Sequence, residues 1–330
     1  MSSKEIENRE ITWNVLDDIT VYGTITAPKD NDSHPTVVFL AGSGPTDRNW
    51  CSPLIPGANG TAKMLAEELA KLGYTTLRYD KLGSGPHVRE SLPRFVGRVN
   101  MQTFIEELSG GVETILSEKN VDASRLYALT NSEGAIHATN YQLHATKNRF
   151  KGLMLTGAPG RSIGDVSRTQ FLNPSKSFPN GEMLMKHYDE AISDFLAGRK
   201  IVVDPSLPKS MVPFFQALEN PNNLPFSREL WTYNLADYVC KVVGPILIVI
   251  GKKDIQVDWQ LDGKPLETAL LHNNRALFAY PENANHVLKH EAMPREKLTP
   301  EYSILHYNAL DAVLDKDAMS TIIDFLAHEV

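Results

Sequence analysis

The sequence predicts an α/β fold, a doubly wound and mostly parallel eight-stranded sheet, on three observations. Short β-branched or apolar runs alternate with stretches of helical periodicity along most of the chain. Several strand candidates are apolar throughout rather than alternating, as strands buried on both faces of a parallel sheet are. Glycine-rich or aspartate-bearing turns follow the strand candidates, which is the punctuation of strand-turn-helix units.

The elements follow in order. Ile11-Thr-Trp-Asn-Val15 and Ile19-Thr-Val-Tyr-Gly-Thr-Ile25, separated by Asp17-Asp18, predict a hairpin that ends at Pro28. Thr36-Val-Val-Phe-Leu-Ala41 predicts a buried strand leading into a long Gly/Pro-rich loop. From Thr61, read as an N-cap, Met64, Leu65, Leu69 and Leu72 share one helical face, and Gly73 stands where a C-terminal cap belongs. Tyr74–Tyr79 is the next strand; Phe104, Ile105, Leu108, Val112, Ile115 and Leu116 mark a helix in spite of Gly110-Gly111. Leu126–Thr130 and Phe150–Thr156 are strands around a helix at 133–145. Pro245–Ile250 and Arg275–Tyr280 complete the sheet, and a helix near 316–328 closes the chain.

The stretch 161–240 differs, with several prolines, no strong strand signal and one clear amphipathic helix carrying Leu184, Tyr188, Ile192, Phe195 and Leu196. It is read as a helical lid inserted into a core domain made of residues 1–160 and 241–330. Phe171, Phe178, Phe214, Phe215, Phe226 and Trp231 add aromatic bulk there; aromatics at helical spacing are more often core, and some are expected to line a pocket.

A formal charge of −7 with no block of lysines and arginines gives no electrostatic footprint for nucleic acid or for an acidic membrane surface. The segment Met1–Glu10 lacks the apolar stretch of a secretory signal, and no segment approaches the roughly 20 apolar residues needed to span a bilayer. A soluble, cytoplasmic protein is expected. Cys51 and Cys240 fit neither a disulfide framework nor a Cys-x-x-Cys motif, and each is expected to be an inert small hydrophobe.

Ligands of such sheets gather at the carboxyl ends of the strands, which directs attention to the turns there. Thr130-Asn-Ser-Glu-Gly134 lies between a strand and a helix and puts Ser132 on a tight turn, its hydroxyl projecting from the sheet edge. A nucleophile so placed needs small neighbours, and the following N–H can point at a developing oxyanion. Gly134 meets that requirement and β-branched Thr130 does not, so a helix N-cap serine is the competing reading.

A hydroxyl needs a base to take its proton. Of ten histidines, His286, in the loop Pro281-Glu-Asn-Ala-Asn-His286 after the last strand, is the one at a strand end, with His290 in reserve; the alternative for His286 is a surface-loop residue. His137 and His144, on the helix after the serine, read as structural or solvent-facing. Asp254, in Ile250-Gly-Lys-Lys-Asp254, can orient that base, with a turn or N-cap aspartate as its alternative; Asp258 and Asp262 lie farther into the loop.

With Ser132, Asp254 and His286 in that chain order, the sequence resembles the α/β-hydrolase superfamily, in its lidded serine esterase branch, over nearly its whole length. Leu40-Ala-Gly-Ser-Gly-Pro45 is similar to the family's His-Gly-x-Gly oxyanion segment, with Ala41 in place of the histidine. Asp80-Lys-Leu-Gly-Ser-Gly85 resembles its Asp-x-x-Gly-x-Gly turn. The resemblance implies a Ser132, His286, Asp254 triad cleaving small acyl esters through an acyl-enzyme, with the Ser43 and Glu133 N–H groups as oxyanion donors and no cofactor.

The same triad suits a thioesterase, an acyltransferase or a small-peptide hydrolase, and a non-catalytic small-molecule-binding protein is the reading from another class. His286, His290 and Glu291 share a turn, but their order is not His-Glu-x-x-His and no third ligand is evident, so no metal is expected. Gly83-Ser-Gly85 lacks the Gly-Lys-Ser/Thr ending of a phosphate loop, and Asp80 reads as a structural turn residue that accepts backbone N–H bonds.

Overall fold

The alternating pattern resolves into one eight-stranded sheet of order β1-β2-β4-β3-β5-β6-β7-β8 in a computed structural model that describes residues 4–176 and 179–329. The strands are β1 Ile6–Val15, β2 Ile19–Pro28, β3 His34–Leu40, β4 Thr75–Tyr79, β5 Val121–Asn131, β6 Gly152–Thr156, β7 Ile246–Val249 and β8 Ala276–Ala279. β1 and β2 form the hairpin, β2 pairs antiparallel with β4, and the remaining pairs are parallel.

Parallel pairing at the centre of the sheet buries both faces of β3, β4, β6 and β7, and helices cover each side there. Val38 and Leu40 of β3 join Ala128 of β5 on one face, against Leu108 and Val112 of the helix Met101–Leu116 and Ile136 of the helix Gly134–His144. Val37, Phe39 and Tyr127 point to the other face, against Leu65 and Leu69 of the helix Thr61–Lys71 and Phe325 of the C-terminal helix Lys316–Glu329. Each such Val, Leu, Ile or Phe side chain contributes about 1.5–3 kcal/mol of transfer free energy.

The register determines where chemistry is possible. Leu40 pairs with Thr130, Thr130 with Leu155, Thr156 with Val249, and Val249 with Ala279. The carboxyl ends of β3, β5, β6, β7 and β8 therefore reach one sheet edge together, and the turns that follow them converge there.

Between β6 and β7 the chain forms the helices Ile163–Ser175, Gly181–Leu196, Val212–Leu218, Phe226–Thr232 and Ala236–Val239. The first four gather around an apolar cluster with Leu184, Tyr188, Phe195, Phe215 and Trp231 at its centre, while Val239 of the last joins the core of the sheet. Phe178 lies outside the described residues. No described helix is long and apolar enough to cross a membrane.

Two local expectations change, and a third holds for a reason the sequence does not show. Thr61 is the first helical residue rather than the cap; Gly60, at φ 69°, occupies the cap position, and the Asn59 side chain accepts the Thr61 N–H at 3.0 Å, so no hydroxyl cap is needed there. Cys240 is exposed and not a buried hydrophobe, because it lies just beyond Val239, the residue of its short helix that enters the core. Gly110 and Gly111 sit inside a helix because Trp13 of β1 packs on them: a Cβ would come within 2.4 Å of the indole at Gly110 and within 2.9 Å at Gly111. The Trp13 Nε1–H donates to Glu107 O at 2.8 Å, which locks the ring there.

Candidate active site

Ser132 follows β5 directly, at φ 53°, a left-handed conformation that costs a residue with a Cβ about 1–3 kcal/mol. Its N–H donates to Thr156 O at 2.8 Å and its carbonyl accepts from Ala135 N–H at 2.9 Å, so strand pairing on one side and the helix Gly134–His144 on the other hold the strained turn. Two glycines make room. A Cβ at Gly134 would lie 2.6 Å from Leu40 O, and one at Gly42 would lie 3.2 Å from the Ser132 Cβ. Thr130, the residue that departs from the small-residue pattern, is fully buried within β5, and close approach to Ser132 falls to Gly42 instead.

Asp254, fully buried in the turn after β7, accepts the N–H groups of Gln256 at 2.8 Å and Val257 at 2.9 Å on Oδ1. Its Oδ2 stands 2.7 Å from His286 Nδ1. With Nδ1–H donated to that carboxylate, Nε2 is the basic nitrogen left to act. Arg295 braces the loop by donating to the Lys252 and Asp254 carbonyls at 2.7 and 2.5 Å and to the Asp258 carboxylate at 2.6 Å. Asp262 is engaged by Arg161 at 2.9 Å, so both alternative aspartates have other partners.

His286 is buried, and two features set its place. The Asn131 side chain, next to Ser132, donates to His286 O at 2.9 Å and ties the histidine loop to the serine turn. Gly157, at the end of β6 and φ 54°, leaves space for the ring: a Cβ there would come within 3.2 Å of Cε1 and Nδ1. His290, the reserve candidate, instead faces Asp315, 3.3 Å away. Among the described residues no group of three or more His, Cys, Asp or Glu side chains could hold a metal ion.

Ser132, Asn131, Glu133, Ser43 and His286 line one cavity of about 890 Å³. Helices of the 163–232 segment contribute Ile163, Val166, Phe214, Phe226 and Trp231 to its wall. Neither the Ser43 N–H nor the Glu133 N–H has a hydrogen-bond acceptor among the described residues, which leaves two backbone donors free on that wall.

Beneath them lies a buried polar cluster that the sequence reading passed over. Lys81, in the turn after β4, donates from Nζ to Gly42 O at 2.6 Å and to Glu133 Oε1 at 2.9 Å. The same Oε1 is 3.0 Å from His137 Nε2, and the His137 ring stacks on Phe104 at 4.4 Å. Burial alone would raise the Glu133 carboxyl, but Lys81 and His137 outweigh it and hold the group well below the usual carboxylate range. Burial pushes the His137 imidazole below its ordinary value, against the pull of Glu133. Asp80 holds Arg48 by its backbone N–H at 2.9 Å and its guanidinium at 2.8 Å, so one turn grips the 42–51 loop at two points.

Glu107 makes the stability of this region depend on pH. Its Oε1 accepts the Leu82 N–H at 2.6 Å, yet burial pushes the carboxyl up to about 8 from 4.5. The folded chain thus keeps a proton that the unfolded chain releases between those values. The stabilisation is complete below about pH 4.5 and is lost as pH rises to about 8, with a slope of at most about 1.4 kcal/mol per pH unit. Glu107→Gln preserves the acceptor for Leu82, and its thermal midpoint relative to the parent is expected to climb from pH 5 to 8. A midpoint difference that stays constant over that range contradicts the assignment.

No family model matches the chain. Among curated proteins, the esterase EstD of Thermotoga maritima is 28% identical over 171 residues, which are 51% of this chain and 36% of that one, so the match spans about a third of the relative's length. Solved structures are similar over nearly the whole chain. The α/β hydrolase GrgF from Penicillium superposes with a TM-score of 0.56 at 13% identity, covering 98% of this chain and 99% of that one. The Pyrococcus furiosus esterase Pf2001 does so with a TM-score of 0.56 at 15% identity, over 98% and 91%. Agreement along so much of the chain at such low identity is agreement of fold, and the fold is that of the α/β hydrolases.

Proposed function

We propose that the protein is a serine hydrolase that cleaves small carboxylic esters whose acyl and alcohol groups carry no charge. The observation that carries this reading is the buried Asp254–His286 pair at 2.7 Å opening on the same cavity as Ser132 on its strained turn. His286 Nε2 takes the Ser132 proton as Oγ adds to the ester carbonyl, and Asp254 stabilises the imidazolium. The free N–H groups of Ser43 and Glu133 receive the oxyanion, the alcohol leaves with the proton from His286, and water activated by the same nitrogen releases the acid.

The lining narrows the substrate. Its charge-bearing side chains, among the described residues, are Lys81, Glu133 and His286, and the first two neutralise each other. No further guanidinium or carboxylate is present to meet a substrate carboxylate, phosphate or α-ammonium group, and burying such a charge unpaired costs several kcal/mol. This supports a neutral ester over a peptide with a free terminus or a phosphate-bearing thioester.

A fluorophosphonate probe is expected to label folded parent protein at Ser132 and to leave Ser132→Ala unlabelled. Neutral acyl esters are expected to exceed matched esters carrying a terminal carboxylate by at least about tenfold in kcat/KM. Absence of labelling overturns the serine mechanism; equal turnover of charged and neutral esters overturns the substrate assignment.

A further inference from the structure

Resting on the serine hydrolase reading, we infer that Lys81 is the positioning residue that assembles the oxyanion site, one ammonium group holding both backbone donors from behind.

The two donors come from separate parts of the chain, and nothing local orders them relative to each other. Ser43 N–H belongs to the Gly42–Ser43 peptide. In a trans peptide the C=O and N–H point in opposite directions, so a bond that fixes the Gly42 carbonyl also aims the Ser43 N–H. Lys81 Nζ makes that bond at 2.6 Å. The second donor is the N–H of Glu133, and Lys81 holds this residue by its carboxylate at 2.9 Å, assisted by His137 at 3.0 Å. A single nitrogen thereby ties the Gly42 carbonyl to the Glu133 carboxylate, partners that lie 39 and 52 residues away from it in sequence.

Ala41 offers the loop no side-chain hydrogen bond; the loop has bonds of its own, among them Thr46 Oγ1–H to Ser43 O at 2.8 Å, and further support reaches it from outside. It comes from the turn after β4, where Asp80 grips Arg48 and Lys81 grips Gly42. That turn is itself anchored by the Leu82 N–H on Glu107. Lys81, Glu133 and His137 are all at least nine-tenths buried. A buried ion pair seldom adds net stability over an apolar replacement of the same shape, so stability alone does not account for this one. Polarising the Gly42 carbonyl also strengthens the Ser43 N–H as a donor, because hydrogen bonds in a chain reinforce one another.

The test compares parent, Lys81→Met and the double variant Lys81→Met/Glu133→Gln with a neutral ester substrate. The single variant leaves the Glu133 charge buried without its lysine and is expected to unfold at a lower temperature; the double variant removes both charges and keeps the fold. In the folded double variant kcat is expected to fall about 10²-fold, the size of effect of losing one oxyanion donor, with KM within about threefold of the parent. Affinity for an alkylboronic acid, which forms an anionic tetrahedral adduct on the serine, should fall with kcat. Inhibition by the product alcohol should not change.

A folded double variant that keeps kcat and boronate affinity within about threefold of the parent overturns the inference and leaves the serine mechanism standing. Equal losses in boronate and alcohol binding also overturn it, because they report a damaged cavity rather than misplaced donors. Parent protein that hydrolyses no ester overturns both readings.

Discussion

Ser132→Ala is expected to lower kcat for ester hydrolysis by about 10⁵ to 10⁶, with substrate binding little changed. Removing the nucleophile of a triad costs about as much as removing all of its members, because the parts act as a unit; what remains is catalysis by the oxyanion donors and by binding. The change is silent in the backbone, since alanine keeps the left-handed conformation and both backbone bonds of residue 132. Ser132→Gly should be equally inactive but more stable than Ser132→Ala by about 1 kcal/mol, because glycine adopts φ 53° without steric cost. Kinetics of the alanine variant and thermal melts of the pair check the two halves separately. Retained turnover removes Ser132 from the mechanism; an alanine variant as stable as the glycine one removes the strain.

Asp254→Asn is expected to reduce kcat by about 10⁴ while the protein stays folded. The asparagine Oδ1 still accepts the Gln256 and Val257 N–H groups, so the turn after β7 survives. Its amide donates to His286 Nδ1 where the carboxylate accepted, which moves the ring proton to Nε2 and removes the lone pair the proposed mechanism uses as base. Asp254→Ala should lose activity and also unfold more readily, since two backbone donors beside a fully buried position lose their acceptor, at about 1–3 kcal/mol each. Asp254→Asn with turnover within tenfold of the parent would show that His286 takes its orientation elsewhere.

The parts of the molecule legible in the sequence were those written in consecutive residues. Each of the eight strands contains an apolar or β-branched run, and the order of those runs carried the fold class. Ser132, His286 and Asp254 could be singled out because each stands in a turn immediately after such a run. The misreadings share a cause. Thr61 has a capping hydroxyl, but Asn59 already satisfies the helix terminus. The helix through Gly110 and Gly111 was expected and is present, but the reason glycines stand there, Trp13 of β1 pressed against them, is likewise a distant contact. Asn131, Gly157 and Arg295 carry no motif; each matters through one contact with a distant loop.

Lys81 marks the boundary most clearly. It lies inside a segment the sequence reading selected, Asp80-Lys-Leu-Gly-Ser-Gly85, where the aspartate and the glycines drew attention and the lysine did not. Its partners, Gly42 and Glu133, are set by the placement of β4, β3 and β5 side by side and by the pairing of Leu40 with Thr130. The elements, their alternation and the residue types at the strand ends can be read along the chain, because periodicity and turn chemistry are properties of chain neighbours. Which side chains meet emerges with the packed fold, because a hydrogen bond depends on tenths of an ångström that are set when strands from distant segments fall into register.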